Sequence, residues 1–93
     1  MKLLILVEQS VAFPTVWYGL LSSNRFLCVE FDNCRLVVSI STGVVSHPRK
    51  AKWNILYDKT SFTTFGFIIQ LVSILEVLGS LSIDTSDVII DEI

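Results

Sequence analysis

Few of these 93 residues have the chemistry of a reaction centre. His47 is the single histidine, and Cys28 and Cys34 are the two cysteines. Acid–base work by a histidine needs a partner that orients its ring, and the local candidates, Arg49 and Lys50, are bases. Nucleophilic work by Cys28 needs an activating base beside it. Its neighbours are Leu27 and Val29, so it reads as a small apolar strand residue. Two cysteines six positions apart plus one histidine lack the tight paired spacing of structural zinc sites. The four glycines, Gly19, Gly43, Gly66 and Gly79, stand far apart, so no phosphate-cradling loop is present. The sequence predicts a protein that is not an enzyme and uses no metal and no cofactor.

What the chain does carry is an uneven distribution of charge. Residues 1–59 hold all seven Lys and Arg against Glu8, Glu30, Asp32 and Asp58, a balance of +3. Residues 60–93 hold Glu76, Asp84, Asp87, Asp91 and Glu92 with no base, a balance of −5. The basic cluster Arg49-Lys50-Ala51-Lys52 runs into Trp53 and Tyr57, a combination of cations and stacking rings that suits nucleic acid. The net charge of −2 has the wrong sign for that partner. The plainer reading is a solvated loop leading into a strand whose aromatics are core. Asp84, Asp87, Asp91 and Glu92 are the stronger feature. Carboxylates gathered on a small rigid domain speed association with a cationic surface and make it specific. The competing reading is ordinary solubilising charge.

These groups need a scaffold, and its organising stretch is residues 61–79, SFTTFGFIIQLVSILEVLG. At about 100° per residue, Thr63, Gly66, Gln70, Ser73, Glu76 and Ser80 gather in a polar stripe. Phe65, Phe67, Ile68, Leu71, Val72, Ile74, Leu75 and Leu78 fill the opposite arc. Thr60 or Ser61 caps the start, and Gly79 stands where a left-handed terminating residue is wanted. Such a stripe suits a helix laid on a sheet. Its β-branched residues weaken helix propensity, so packing must hold it. A membrane span over 62–81 is permitted by length, but Gln70 and Glu76 would then sit at membrane depth, at roughly 3 kcal/mol for the carboxylate.

Residues 3–7 are a continuous apolar run, the pattern of a strand covered on both faces and central in its sheet. Residues 13–21, FPTVWYGLL, read as a helix with Pro14 in the first turn and Val16, Trp17, Leu20 and Leu21 on one face. Ser22-Ser23-Asn24 ends it. Residues 25–41 read as a hairpin turning at Asp32-Asn33. That register pairs Phe31 with Cys34, Val29 with Leu36 and Leu27 with Val38 on one apolar face, and gives Glu30–Arg35 as a cross-strand ion pair. It sets the two cysteines on opposite faces, too far apart to join. Val44-Val45 extends a strand. Residues 52–58 form a strand with Trp53, Ile55 and Tyr57 on one side. Residues 88–90 are a short last strand after a polar turn, with a helical turn capped by Thr85 or Ser86 as the alternative. The predicted order is β-α-β-β-β-α-β, a single α+β domain over 1–93 with two helices packed on one face of a mostly antiparallel sheet.

The opening MKLLILV has the base and apolar run of an export signal, but Glu8 and Gln9 cut the run short. Cytoplasmic localisation with free thiols is the expectation. At 52% hydrophobic, the chain has more apolar side chains than a small core absorbs, which points to a partner or self-association. The leading expectation is a small non-enzymatic inhibitor of the immunity-protein or antitoxin kind. It would occlude a basic enzyme such as a toxin nuclease through Asp84, Asp87, Asp91 and Glu92, with Trp53 and Tyr57 as aromatic anchors. One alternative is a structural or interaction subunit that homodimerises through an apolar face. Another is a single-span membrane protein. Neither nucleic acid nor a membrane is the expected partner.

Overall fold

A computed structural model describes residues 1–10, 15–32, 35–43, 52–60 and 67–91, with backbone alone for Ser10, Asp32 and residues 67–70. The elements are β1 (Leu3–Ser10), β2 (Thr15–Leu21), β3 (Phe26–Asp32), β4 (Arg35–Ser41), β5 (Trp53–Lys59), α1 (Phe67–Ser80) and β6 (Ile89–Asp91). The strands form one sheet in the order β5-β4-β3-β2-β1-β6. From β1 to β5 each strand runs antiparallel to the next, and β6 returns beside β1 in parallel. The chain therefore crosses from one edge of the sheet to the other through α1.

The largest departure from expectation is β2. Residues predicted as a first helix form a strand, so among the described residues the sheet carries one helix and not two. Burial alternates strictly: Thr15, Trp17, Gly19 and Leu21 are buried, and Val16, Tyr18 and Leu20 are half-buried. Val16, Trp17 and Tyr18 favour an extended chain, Gly19 is a poor helix residue, and β1 and β3 pair with both edges of the strand. Gly19 also has a packing reason. A Cβ there would come within 2.7 Å of Leu3 Cδ1, 3.2 Å of the Ile5 carbonyl oxygen and 3.3 Å of Leu27 Cβ. Pro14 lies outside the described residues. Ser22-Ser23-Asn24, expected to end a helix, turns a hairpin instead. The Asn24 amide donates to Leu21 O at 3.0 Å, the Leu21 amide donates to Arg25 O at 2.9 Å, and Asn24 takes the left-handed φ of 60° that closes a three-residue loop.

The β3–β4 hairpin forms, with its register shifted by two residues. Phe31 faces Leu36, Val29 faces Val38 and Leu27 faces Ile40. An even shift keeps every side chain on its face, so the apolar face survives and gains Ile40. The expected Glu30–Arg35 pair is replaced. Glu30 faces Val37, and Arg35 binds Asp58 of β5 through two parallel bonds, Nε–Oδ1 at 2.8 Å and Nη2–Oδ2 at 2.6 Å. Such a fork on a carboxylate is a stronger geometry than a single cross-strand contact. Cys34, and with it the placement of the two cysteines on opposite faces, lies outside the described residues, as does Val44-Val45.

Register slips on β1 and β5 help set which side chains face α1. On β1 the register slips between Leu3 and Ile5, which brings Leu3 and Leu6 to the inner face despite their odd spacing and leaves Leu4 40% exposed. β1 is thus one strand in from the edge, with only its inner face fully covered. On β5 the extra residue is Leu56, because Val38 faces Tyr57 while Ser39 faces Ile55. Trp53 and Ile55 point outward and Tyr57 inward, so the three do not share a side.

The core lies between the inner face and α1. Leu3, Leu6, Trp17, Leu21, Leu27, Val29, Phe31, Leu36, Val38 and Ile40 meet Ile74, Val77 and Leu78. Val72, placed in the apolar arc by its periodicity, is 49% exposed, and Val77 takes the buried position at 8%. Glu76 is exposed as expected. Thr63, Phe65 and Gly66, and the side chains of Phe67, Ile68 and Gln70, lie outside what is described. Among the described residues no helix is long and apolar enough to cross a membrane.

The helix ends three residues later than Gly79 would place it. Ile83 N donates to Leu78 O and Ser82 N to Gly79 O, both at 3.0 Å. Ser82 is the left-handed residue, at φ 63°, and no glycine has a positive φ among the described residues. This is a Schellman end, and its apolar clasp is Leu78 with Ile83, which are 0% and 2% exposed.

Candidate functional site

Of the possible reaction-centre residues, Cys28 is the one that lies among the described residues. Cys28, on β3, is 7% exposed. Burial, helped by the charge of Glu30, pushes its thiol up to about 12, so it stays protonated and unreactive near neutrality. His47 and residues 49–51 lie outside the described residues, and Lys52 is exposed just before β5. Among the described residues no three His, Cys, Asp or Glu side chains gather where a metal could be held.

The acidic residues do share a location. Asp84 and Asp87 sit in the connection from α1 to β6, Asp91 closes β6, and all three are exposed. Backbone bonds pin this connection to the start of β1, with Leu3 N donating to Asp84 O at 2.9 Å and Asp84 N to Met1 O at 2.7 Å. The Asp84 carboxylate accepts the Ser86 amide at 2.9 Å. That bond, with smaller help from the charges of Lys2 and the N-terminus, holds it below its usual range. Asp87 is bound by Lys2 Nζ at 2.7 Å. Glu92 lies outside the described residues. Trp53 and Tyr57 belong to β5, at the far edge of the sheet. Trp53 faces outward, whereas Tyr57 packs against the core. The acids and aromatics that the sequence suggested as one surface therefore occupy opposite edges.

A different surface is built by the sheet itself. The registers place Ile89, Ile5, Leu20, Phe26, Ser41 and Trp53 in one row across its outer face. A second row holds Asp91, Val7, Tyr18, Cys28, Ser39 and Ile55, and a third holds Val16, Glu30, Val37 and Asp58. Apart from Asp91 at one edge, the charges cluster in one corner as Glu30, Arg35 and Asp58, and the last two satisfy each other. Apart from Ser39 and Ser41, the other described residues of these rows are apolar, with Ile55 58% and Ile89 64% exposed on the two edge strands.

At its centre the Tyr18 and Trp53 rings stack with centroids 6.2 Å apart and planes 25° from parallel. Their strands lie three positions apart, about 14 Å at ordinary strand spacing. The rings must lean toward each other over β3 and β4, whose outward residues here are small. Cys28, Ser39 and Ser41 are 7%, 9% and 0% exposed although they point away from α1. Ser41 is anchored as well: its Oγ accepts from Phe26 N and donates to Gly43 O, both at 3.0 Å, and its carbonyl accepts Arg25 Nε at 2.8 Å. Nothing in a helical pattern over 13–21 pointed to Tyr18. The signal that would have found it is the alternation of Val16, Tyr18 and Leu20 with Thr15, Trp17 and Leu21.

No protein-family model, no curated protein and no solved structure matches this chain.

Proposed function

We propose that the protein is a non-enzymatic binding protein that docks through the outer face of its sheet. The observation that carries this reading is the half-buried Tyr18–Trp53 stack on that face, with Ile55 and Ile89 exposed on its two edge strands and its described charges at one corner and one edge. An apolar face of this extent on a small domain is a contact surface or a liability, and half-buried Tyr and Trp side chains are the residue types that anchor interfaces. The aromatic pair also stiffens the surface, which lowers the ordering cost of docking.

A second reading is favoured by the exposure of Asp84, Asp87 and Asp91 along the β6 edge. In it the chain is an immunity- or antitoxin-type inhibitor that occludes a cationic enzyme, such as a toxin nuclease, through those carboxylates. Both surfaces can be compared in one experiment. The full chain is cross-linked to its partners in host extract alongside Tyr18→Lys, Ile55→Lys and the triple reversal of Asp84, Asp87 and Asp91 to Lys. Loss of capture with the first two alone supports the outer face. Loss with the reversal alone supports the acidic edge, and capture indifferent to every variant sinks both readings.

A further inference from the structure

We propose that residues 84–91 form a detachable strap: they leave β1 as one unit while the meander and α1 stay folded, and so gate the β1 edge of the sheet. The proposal stands apart from the outer-face reading and rests on what holds this segment in place. None of its residues is buried, and Ile89 is 64% exposed. Its apolar hold on the core is Val88 and Ile90, both half-buried. Among the described residues, its polar bonds to the rest of the chain all end on residues 1–7. Asp84 O accepts Leu3 N at 2.9 Å, Asp84 N donates to Met1 O at 2.7 Å, and Lys2 Nζ binds Asp87 at 2.7 Å. β6 adds a parallel ladder three residues long, opposite Ile5, Leu6 and Val7.

The segment also has bonds of its own that travel with it. Asp84 Oδ1 accepts Ser86 N at 2.9 Å, and Thr85 O accepts Val88 N at 3.3 Å. Its start is defined. Ile83, 2% exposed, is fixed by its amide bond to Leu78 O and by the core, so release begins after it and leaves the end of α1 intact. Segments with little buried apolar surface and solvent-exposed backbone bonds open at a fraction of the global free energy, and parallel pairing is the weaker kind. β5, the other edge strand, likewise has no buried residue. It is, however, antiparallel along its length and tied to β4 by the Arg35–Asp58 fork. The strap is therefore the part of the sheet that opens first. Opening bares the backbone groups of β1 that β6 satisfies when closed, a strand-pairing margin that the closed state hides.

Native-state hydrogen exchange of the full chain, followed by NMR at increasing low urea, tests this. The amides of Leu3 and Asp84 and the bonded amides of β6 are expected to exchange on the order of 100-fold faster than Val29 in β3, through one opening with little dependence on urea. Lys2→Gln, which removes the bond to exposed Asp87, accelerates all of them by one shared factor of about threefold. Asp58→Asn, at the far edge, leaves them unchanged, because the Arg35 fork survives release of the strap. Strap amides as slow as Val29 would mean that the segment opens only when the whole protein unfolds, which overturns the proposal. Leu3 still protected while β6 exchanges, or unequal factors across these amides in Lys2→Gln, would reduce the motion to fraying and overturn it as well.

Discussion

Gly19 shows how much a single position constrains this sheet. The atoms around its missing side chain include a backbone carbonyl, Ile5 O, which cannot rotate away as a methyl can. Gly19→Ala is expected to destabilise by about 2 kcal/mol, as overpacking does, even though alanine ordinarily stabilises a strand relative to glycine. Urea denaturation of the two proteins measures it, and an unchanged midpoint would show that the β1–β2 packing is looser than described. At this scale the sequence was legible where the residue's own chemistry decides. Cys28 as an inert apolar residue was readable from its flanking Leu27 and Val29. Tyr18 was not, because its role depends on a ring three strands away. Nor was the choice of Asp58 as the partner of Arg35, since it needs the β5 register.

Among the elements, the β3–β4 hairpin and α1 were the most legible, and their details the least. Alternation fixes which side chains share a face, and an even register shift leaves that untouched, so the β3–β4 face was right while its pairing was two residues off. β2 was misread because Val16, Trp17, Leu20 and Leu21 satisfy a helical spacing as well as a strand one, and the neighbouring strands that decide between them are invisible locally. Asp84, Asp87 and Asp91 lie beside the β1–β6 edge, whereas Trp53 and Tyr57 stand on β5 at the other edge, turned to opposite faces by the Leu56 bulge. The end of α1 gives a test of the cap assignment. Ser82 bears the left-handed strain, whereas Gly79 is helical with open space where a Cβ would go. Ser82→Gly and Gly79→Ala should therefore each raise stability, by about 1 kcal/mol. If Gly79 were the left-handed terminator, Gly79→Ala would instead lower the melting temperature.

For the molecule as a whole, the ionic contacts predict its response to pH. Asp58, bound by Arg35, and Asp84, bound by the Ser86 amide, both titrate below their ordinary 3.8 in the folded protein. Their stabilisation is complete above that value and is lost as pH falls through the lower folded values. Lys2 titrates above its ordinary 10.5 because of its bond to Asp87, so its contribution is complete below 10.5 and lost as pH rises through the higher folded value. Thermal melts from about pH 5 to about pH 2 should decline less steeply in the Asp58→Asn and Asp84→Asn double variant than in the parent. The effect is small, because Asp58 and Asp84 are exposed. An identical decline in the two proteins would assign the acid sensitivity to other carboxyls.

The parallel return of β6 beside β1 has a consequence for how the chain reaches this state. Residues 1–59 contain the whole antiparallel meander, yet the layer that roofs its inner face and the strand that seals its β1 edge both come from the last third of the chain. During synthesis, then, a five-stranded sheet is available before its cover exists, with grease on both sides and two open margins. Productive folding is a race between the arrival of that final segment and the joining of unfinished sheets from neighbouring chains.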